Sequence, residues 1–199
     1  MDIDIIRMIE KAIDYRYRLE RNARSWLLNE FDKRIEFRVP SSNSIAFSLD
    51  SEREKPFSFF SKSPPLHWAK ICDAFLACAH EGIVYFFIIE IKSSYENECE
   101  KQLINGKLFC DWLLALCREH NYPNAEFSTA SMLVWEPRER KTTRKVTSGH
   151  TSPDSLGIQQ HGIVEKQGTN HFPIRFDVSN QRKIDIGELI SRMNRRPRR

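Results

Sequence analysis

The chain alternates apolar blocks of two periodicities. Between Asp4 and Phe31, the side chains Ile6, Ile9, Ile13, Tyr17, Leu27 and Phe31 fall on one stripe of three- and four-residue steps, which predicts an amphipathic helix. Glu20 and Arg24 share that stripe. From Pro40 to Pro65 the chain turns Ser-rich, with Pro56 and Pro64 as further breaks, and reads as irregular structure with short strands at 45–49 and 57–60. Two β-runs follow, 70–79 and 83–93, then a helix over 97–120 with the stripe Cys99, Leu103, Gly106, Cys110, Leu113 and Cys117. Its opposite face carries Glu100, Lys107, Asp111 and Arg118. Residues 129–135 read as a strand, 137–160 as a polar loop, 172–178 as a last strand and 184–193 as a short helix. The elements add up to one α/β domain over residues 1–199, with a mixed central sheet flanked by helices.

Composition narrows the class. Length and a 40% hydrophobic content suffice for a continuous core, and 29% charged residues with few Gly and Pro fit a globular chain. No run of about 18 apolar residues is present to cross a bilayer, and Asp2, Asp4, Arg7 and Glu10 occupy the region where a signal peptide is apolar, so a cytoplasmic protein without membrane partners is expected. Five cysteines, an odd number set in apolar segments, read as reduced core thiols.

The net charge of +4 is mild, but the excess is concentrated. Arg138, Arg140, Lys141, Arg144 and Lys145 form one cluster, and Arg192, Arg195, Arg196, Arg198 and Arg199 form a basic tail over 192–199. Such clusters suit phosphate contacts, and equally a solvated loop and tail.

The candidate chemistry lies in the two β-runs. Glu81-Gly82 between them suits a two-residue hairpin turn. Pairing His80 with Ile83 and counting outward sets Asp73 opposite Glu90, with Cβ atoms ~5 Å apart on one face, and Lys92 points to that face as well. Opposed carboxylates repel, and burying an unpaired ion costs several kcal/mol, so apolar strands tolerate this pair when a cation neutralises it. Mg²⁺ (or Mn²⁺) is the natural ion, with Asp73 and Glu90 as ligands and Lys92 beside the reacting phosphate. A plain Asp-Lys-Glu ion-pair cluster is the competing reading.

Asp73, sixteen intervening residues, then Glu90-Ile91-Lys92 closing an apolar strand, followed by Ser93-Ser94 and a helix bearing Gln102, resembles the PD-(D/E)XK nuclease superfamily. Cys72 stands where the motif's proline would precede the acid. The resemblance covers about 66–135 and extends to the whole chain as an α-β-β-β-α-β restriction-endonuclease-like core, with the helix at 4–31 in front. It implies divalent-metal-dependent hydrolysis of phosphodiesters, with Asp73 and Glu90 as metal ligands and Lys92 as the catalytic lysine. It also implies an assisting Gln early in the following helix, matched by Gln102, and a further acid on an N-terminal helix, matched by Glu20. Glu20 could instead pair with Arg24, and Gln102 could be solvent-exposed.

DNA is expected as substrate ahead of RNA, in a bacterial or phage restriction, defence, repair or transposition setting, with the basic clusters holding phosphates. A non-catalytic nucleic-acid-binding or partner-binding protein on the same fold is the alternative, and a homodimer or larger assembly is left open. Other chemistries find little support. Cys72 and Cys78 lie ~20 Å apart along a strand, too far to share a zinc ion with His67 and His80. Cys99, Cys110 and Cys117 spread over ~27 Å of helix, which disfavours an iron–sulfur cluster. No P-loop, Rossmann glycine pattern or Gly-x-Ser-x-Gly elbow occurs.

Overall fold

The structure is a computed structural model that describes residues 2–30, 33–49, 70–92, 98–120, 127–135, 174–177 and 183–195. In chain order the elements are α1 (Asp2–Ala12), a 3₁₀ turn (Tyr15–Tyr17), β1 (Glu20–Asn22), β2 (Ser25–Glu30), β3 (Lys33–Arg38), β4 (Ser44–Phe47), β5 (Ala74–His80), β6 (Ile83–Lys92), α2 (Glu98–Glu119), β7 (Phe127–Trp135), β8 (Ile174–Asp177), β9 (Lys183–Asp185) and α3 (Ile186–Arg195). The strands form two mixed sheets, not one: a five-stranded sheet ordered β4-β5-β6-β7-β8 and a four-stranded sheet ordered β1-β2-β3-β9. In the larger sheet β4, β5 and β6 are antiparallel neighbours, whereas β6, β7 and β8 run parallel.

The five-stranded sheet is the middle layer because both its faces are apolar. On β6, Val84, Phe86 and Ile88 join Ile5, Ile6 and Ile9 of α1 and Leu103, Cys110 and Leu113 of α2 in one core. The alternate residues Tyr85, Phe87, Ile89 and Ile91 meet Trp26, Leu28, Ile35 and Phe37 of the smaller sheet and Ile186, Leu189 and Ile190 of α3 in the other. Continuous apolar runs such as residues 84–89 are what a strand covered on both sides requires. All five cysteines are buried free thiols, as their apolar surroundings in the chain predict. Among the described residues, no helix is long and apolar enough to cross a membrane.

The N-terminal helix expected over 4–31 ends at Ala12. Asp14 accepts the Arg16 backbone N–H at 2.9 Å and starts a short 3₁₀ turn, after which the chain enters the smaller sheet as a hairpin. Trp26 and Leu28 pack at a period of two into the core shared with the larger sheet, whereas Leu27, counted on the helical stripe, is buried outside both main core clusters. Cross-sheet contacts settle the choice: the Leu19 N–H donates to the Ala46 carbonyl, and Trp26 Nε1 donates to Ser44 Oγ at 2.9 Å. The strand expected at 57–60 and the loop at 137–160 lie outside the described residues.

The helix α2 meets the sheet most closely at Gly106. A Cβ added there would stand 2.6 Å from Ile88 Cγ2 and 2.8 Å from Cys72 Sγ. Neither neighbour is the free end of a long side chain, so the helix would have to lift from the strand. Gly106→Ala should therefore destabilise the fold by about 1–3 kcal/mol despite alanine's better helix propensity. Urea unfolding of the two proteins checks this, and a more stable variant would mean that α2 does not sit this close.

Candidate active site

The β5–β6 hairpin has the register that its turn residues predict. Glu81 and Gly82 take φ of 49° and 82°, the positive values of a type I′ turn, and the ladder runs from His80↔Ile83 to Ala74↔Ile89. One step further, Asp73 and Glu90 come opposite each other on the α2 side of the sheet, beyond the last ladder pair. Asp73 is buried, and its Oδ2 accepts the Ile91 backbone N–H at 2.6 Å. Lys92, two residues beyond Glu90, is half-buried with its Nζ 2.6 Å from Glu90 Oε1.

Glu90 is the anomaly. It is 0% exposed, and Leu133 lies beside it on β7. Lys92, 2.6 Å away, is the charge that Glu90 pairs with. Burial first, and the Asp73 charge second, push the Glu90 carboxyl up to about 8, against the pull of Lys92. Burial also opposes the Lys92 charge, but the two carboxylates outweigh it and raise the ammonium's pKa. Among the described residues, no group of three or more His, Cys, Asp or Glu side chains is placed to hold a metal ion, and Asp73 and Glu90 are the two carboxylates that they bring together here.

The segment leading into Asp73 is tied to α2 by two side-chain amides. Gln102, buried rather than solvent-exposed, donates from Nε2 to the Ile71 carbonyl at 3.3 Å, and Asn105 donates from Nδ2 to the Lys70 carbonyl at 2.7 Å. Gln102 therefore positions the backbone two residues before Asp73. Asn105 was not singled out in the sequence, although it lies three residues after Gln102, the spacing that sets two helix side chains side by side. Cys72, in place of the motif's proline, is fully buried beside Gly106, and burial holds its thiol well above the usual range, which leaves it unreactive.

Glu20 does not fit its expected role. It lies exposed on strand β1 of the smaller sheet, and its Oε1 pairs with Arg34 Nη2 at 3.0 Å. Without a helix through residue 20, Arg24 is not its i+4 helix neighbour either. Arg138, Arg140, Lys141, Arg144, Lys145 and Arg196 lie outside the described residues, and Arg195 is the last residue of α3.

Comparison of the chain with protein-family models, curated proteins and solved structures finds no match.

The raised Glu90 carboxyl has a sign that stability can read. Its folded pKa, about 8, exceeds the ordinary 4.5, so the native state holds a proton that the unfolded chain releases between these values. The metal-free protein should lose about 4–5 kcal/mol of stability as pH rises through that window. Glu90→Gln, which carries no proton to lose, should remove most of that slope. Chemical denaturation from pH 5 to 9 in chelator measures both, and identical pH profiles would place the Glu90 carboxyl in a solvated, ordinary setting.

Proposed function

We propose that this protein is a divalent-metal-dependent nuclease of the PD-(D/E)XK type, acting on DNA ahead of RNA, with Asp73, Glu90 and Lys92 as its catalytic centre. The observation that carries the reading is Glu90 itself: a fully buried carboxylate opposite a second acid, whose pairing with Lys92 at 2.6 Å does not offset the cost of its burial. An apolar core has no use for such a group unless something else binds it. The chain order also supports the reading. With the β1–β3 segment as an insertion, α1, β4, β5, β6, α2 and β7 follow the α-β-β-β-α-β sequence of the restriction-endonuclease-like core, with β7 parallel to β6.

Two carboxylates suit Mg²⁺ or Mn²⁺, hard ions that accept one or two protein oxygens and complete their shell with water and phosphate. Asp73 and Glu90 would hold such an ion, which supplies polarisation of the phosphate and an acidified water. The chain's own contribution is positional. The Ile91 N–H fixes the Asp73 carboxylate, Gln102 and Asn105 hold the chain ahead of it, and α2 closes the apolar side. Lys92 keeps its proton beside Glu90, placed to donate to the phosphate oxygens as negative charge develops. The basic cluster at 138–145 and the tail at 192–199 would hold more distant phosphates without reading sequence.

The close contact between Lys92 and Glu90 favours one rival, a non-catalytic nucleic-acid-binding protein in which the pair is structural. Incubation with supercoiled DNA, linear DNA and RNA, each with chelator, Mg²⁺ or Mn²⁺, separates the two. Cleavage should require metal, and Lys92→Ala should lower its rate by at least ~10²-fold while nucleic-acid affinity stays within a few-fold. Binding without cleavage under every condition would establish the rival, and undiminished turnover in Lys92→Ala would reject the mechanism.

A further inference from the structure

The helix α2 buries one face and exposes another that is also apolar. Leu108, Trp112 and Leu116 are 61%, 56% and 37% exposed, and at steps of four residues they form one stripe along two turns. Phe109 supports Trp112 from the core side, with ring centroids 5.8 Å apart, so the indole is presented on a firm base. A contiguous exposed stripe centred on a tryptophan marks an interaction surface far more often than scattered single apolar residues do.

Charge selects the partner. Lys101 and Glu119 lie on the same exposed side of α2, one beyond each end of the stripe. Eighteen residues separate them, which is five full turns and ~27 Å at 1.5 Å per residue. A parallel partner of the same sequence would set like charges together. An antiparallel copy brings Lys101 of each chain onto Glu119 of the other and Leu108 of each onto the other's Trp112. We propose that α2 is a two-fold, antiparallel homodimer interface, with a second copy of this chain as the occupant of the Leu108, Trp112, Leu116 stripe. The pairing is isologous, so it closes at two copies and leaves no stripe open for growth. A single helix face is small beside standard interfaces, which makes the dimer weak and dependent on concentration.

The charge pairing gives a test that a structural effect cannot imitate. Within one chain ~27 Å far exceeds the Debye length of ~10 Å at 0.1 M salt, so Lys101 and Glu119 have no direct energetic link unless two copies meet. Sedimentation equilibrium of the full chain over a concentration series, with circular dichroism to verify folding, should show a reversible monomer–dimer equilibrium. Trp112→Lys should abolish the dimer. Lys101→Glu and Glu119→Lys should each weaken it by about tenfold, and the double reversal Lys101→Glu with Glu119→Lys should restore it. A monomer at every concentration overturns the proposal, as does a dimer indifferent to Trp112→Lys. Single reversals that weaken the dimer without rescue in the double variant overturn the antiparallel register.

Discussion

A repulsion organises this molecule: two carboxylates, Asp73 and Glu90, are carried to opposite ends of one cross-strand step by a hairpin whose register they cannot change. The register is set eight residues away, where positive φ at Glu81 and Gly82 forces a tight turn, and apolar pairs such as Leu76 with Phe87 hold it from there on. A slip of one residue would turn every core side chain of β6 to the wrong face. The apolar packing of the hairpin is strong enough to impose the acids on each other. Lys92 offsets part of that strain through its ion pair with Glu90, but burial and the Asp73 charge still hold the Glu90 carboxyl well above its ordinary pKa.

The three layers explain where that strain sits. The five-stranded sheet is covered by α1 and α2 on one face and by the smaller sheet and α3 on the other, so a polar group in the middle of β6 has no route to water. Glu90 is fully enclosed, and β6 ends two residues later, at Lys92, which keeps partial contact with solvent. The helix α2 completes this end of the sheet. Its contact at Gly106 draws it close to β6, and the amides of Gln102 and Asn105 then reach the carbonyls of residues 71 and 70. One surface of a single helix thus both packs the core and fixes the acid that precedes β5, and its other surface carries the exposed Leu108, Trp112 and Leu116.

What could be read from the chain divides along the range of the interactions. The β5–β6 hairpin, its register, α2 and the parallel strand β7 are visible locally, because a turn dipeptide, a period of two and a period of 3.6 each leave their mark within ten to twenty residues. The smaller sheet is not visible in this way. Its parallel pair joins β3 to β9, so that Phe37 meets Ile184 across nearly 150 residues, and no local signal reports such a pairing. The helical stripe assigned to 4–31 failed for a related reason: Leu27 fits a helical step from Tyr17, but the burial of Trp26 and Leu28 on its flanks is decided by a sheet partner elsewhere. Glu20 was misplaced with that helix. Gln102 was legible as a position and not as a contact, since the carbonyl it holds comes from a separate stretch of chain.

The central claim is that Asp73 and Glu90 form a strained cation site, and metal-dependent stability tests it most directly. Thermal melts of wild type and Asp73→Asn are compared in chelator and in Mg²⁺ or Mn²⁺. In chelator at pH 9, where Glu90 with its pKa of about 8 is ionised, the variant, relieved of one charge, should melt at the temperature of wild type or above, whereas most substitutions destabilise by ~1 kcal/mol. Metal should raise the wild-type midpoint by several degrees, as expected for ~2 kcal/mol of binding linkage in a chain of this size, and leave the variant almost unmoved. A variant clearly less stable in chelator, together with a wild type indifferent to metal, would show a satisfied ion-pair cluster in place of a metal site and contradict the account.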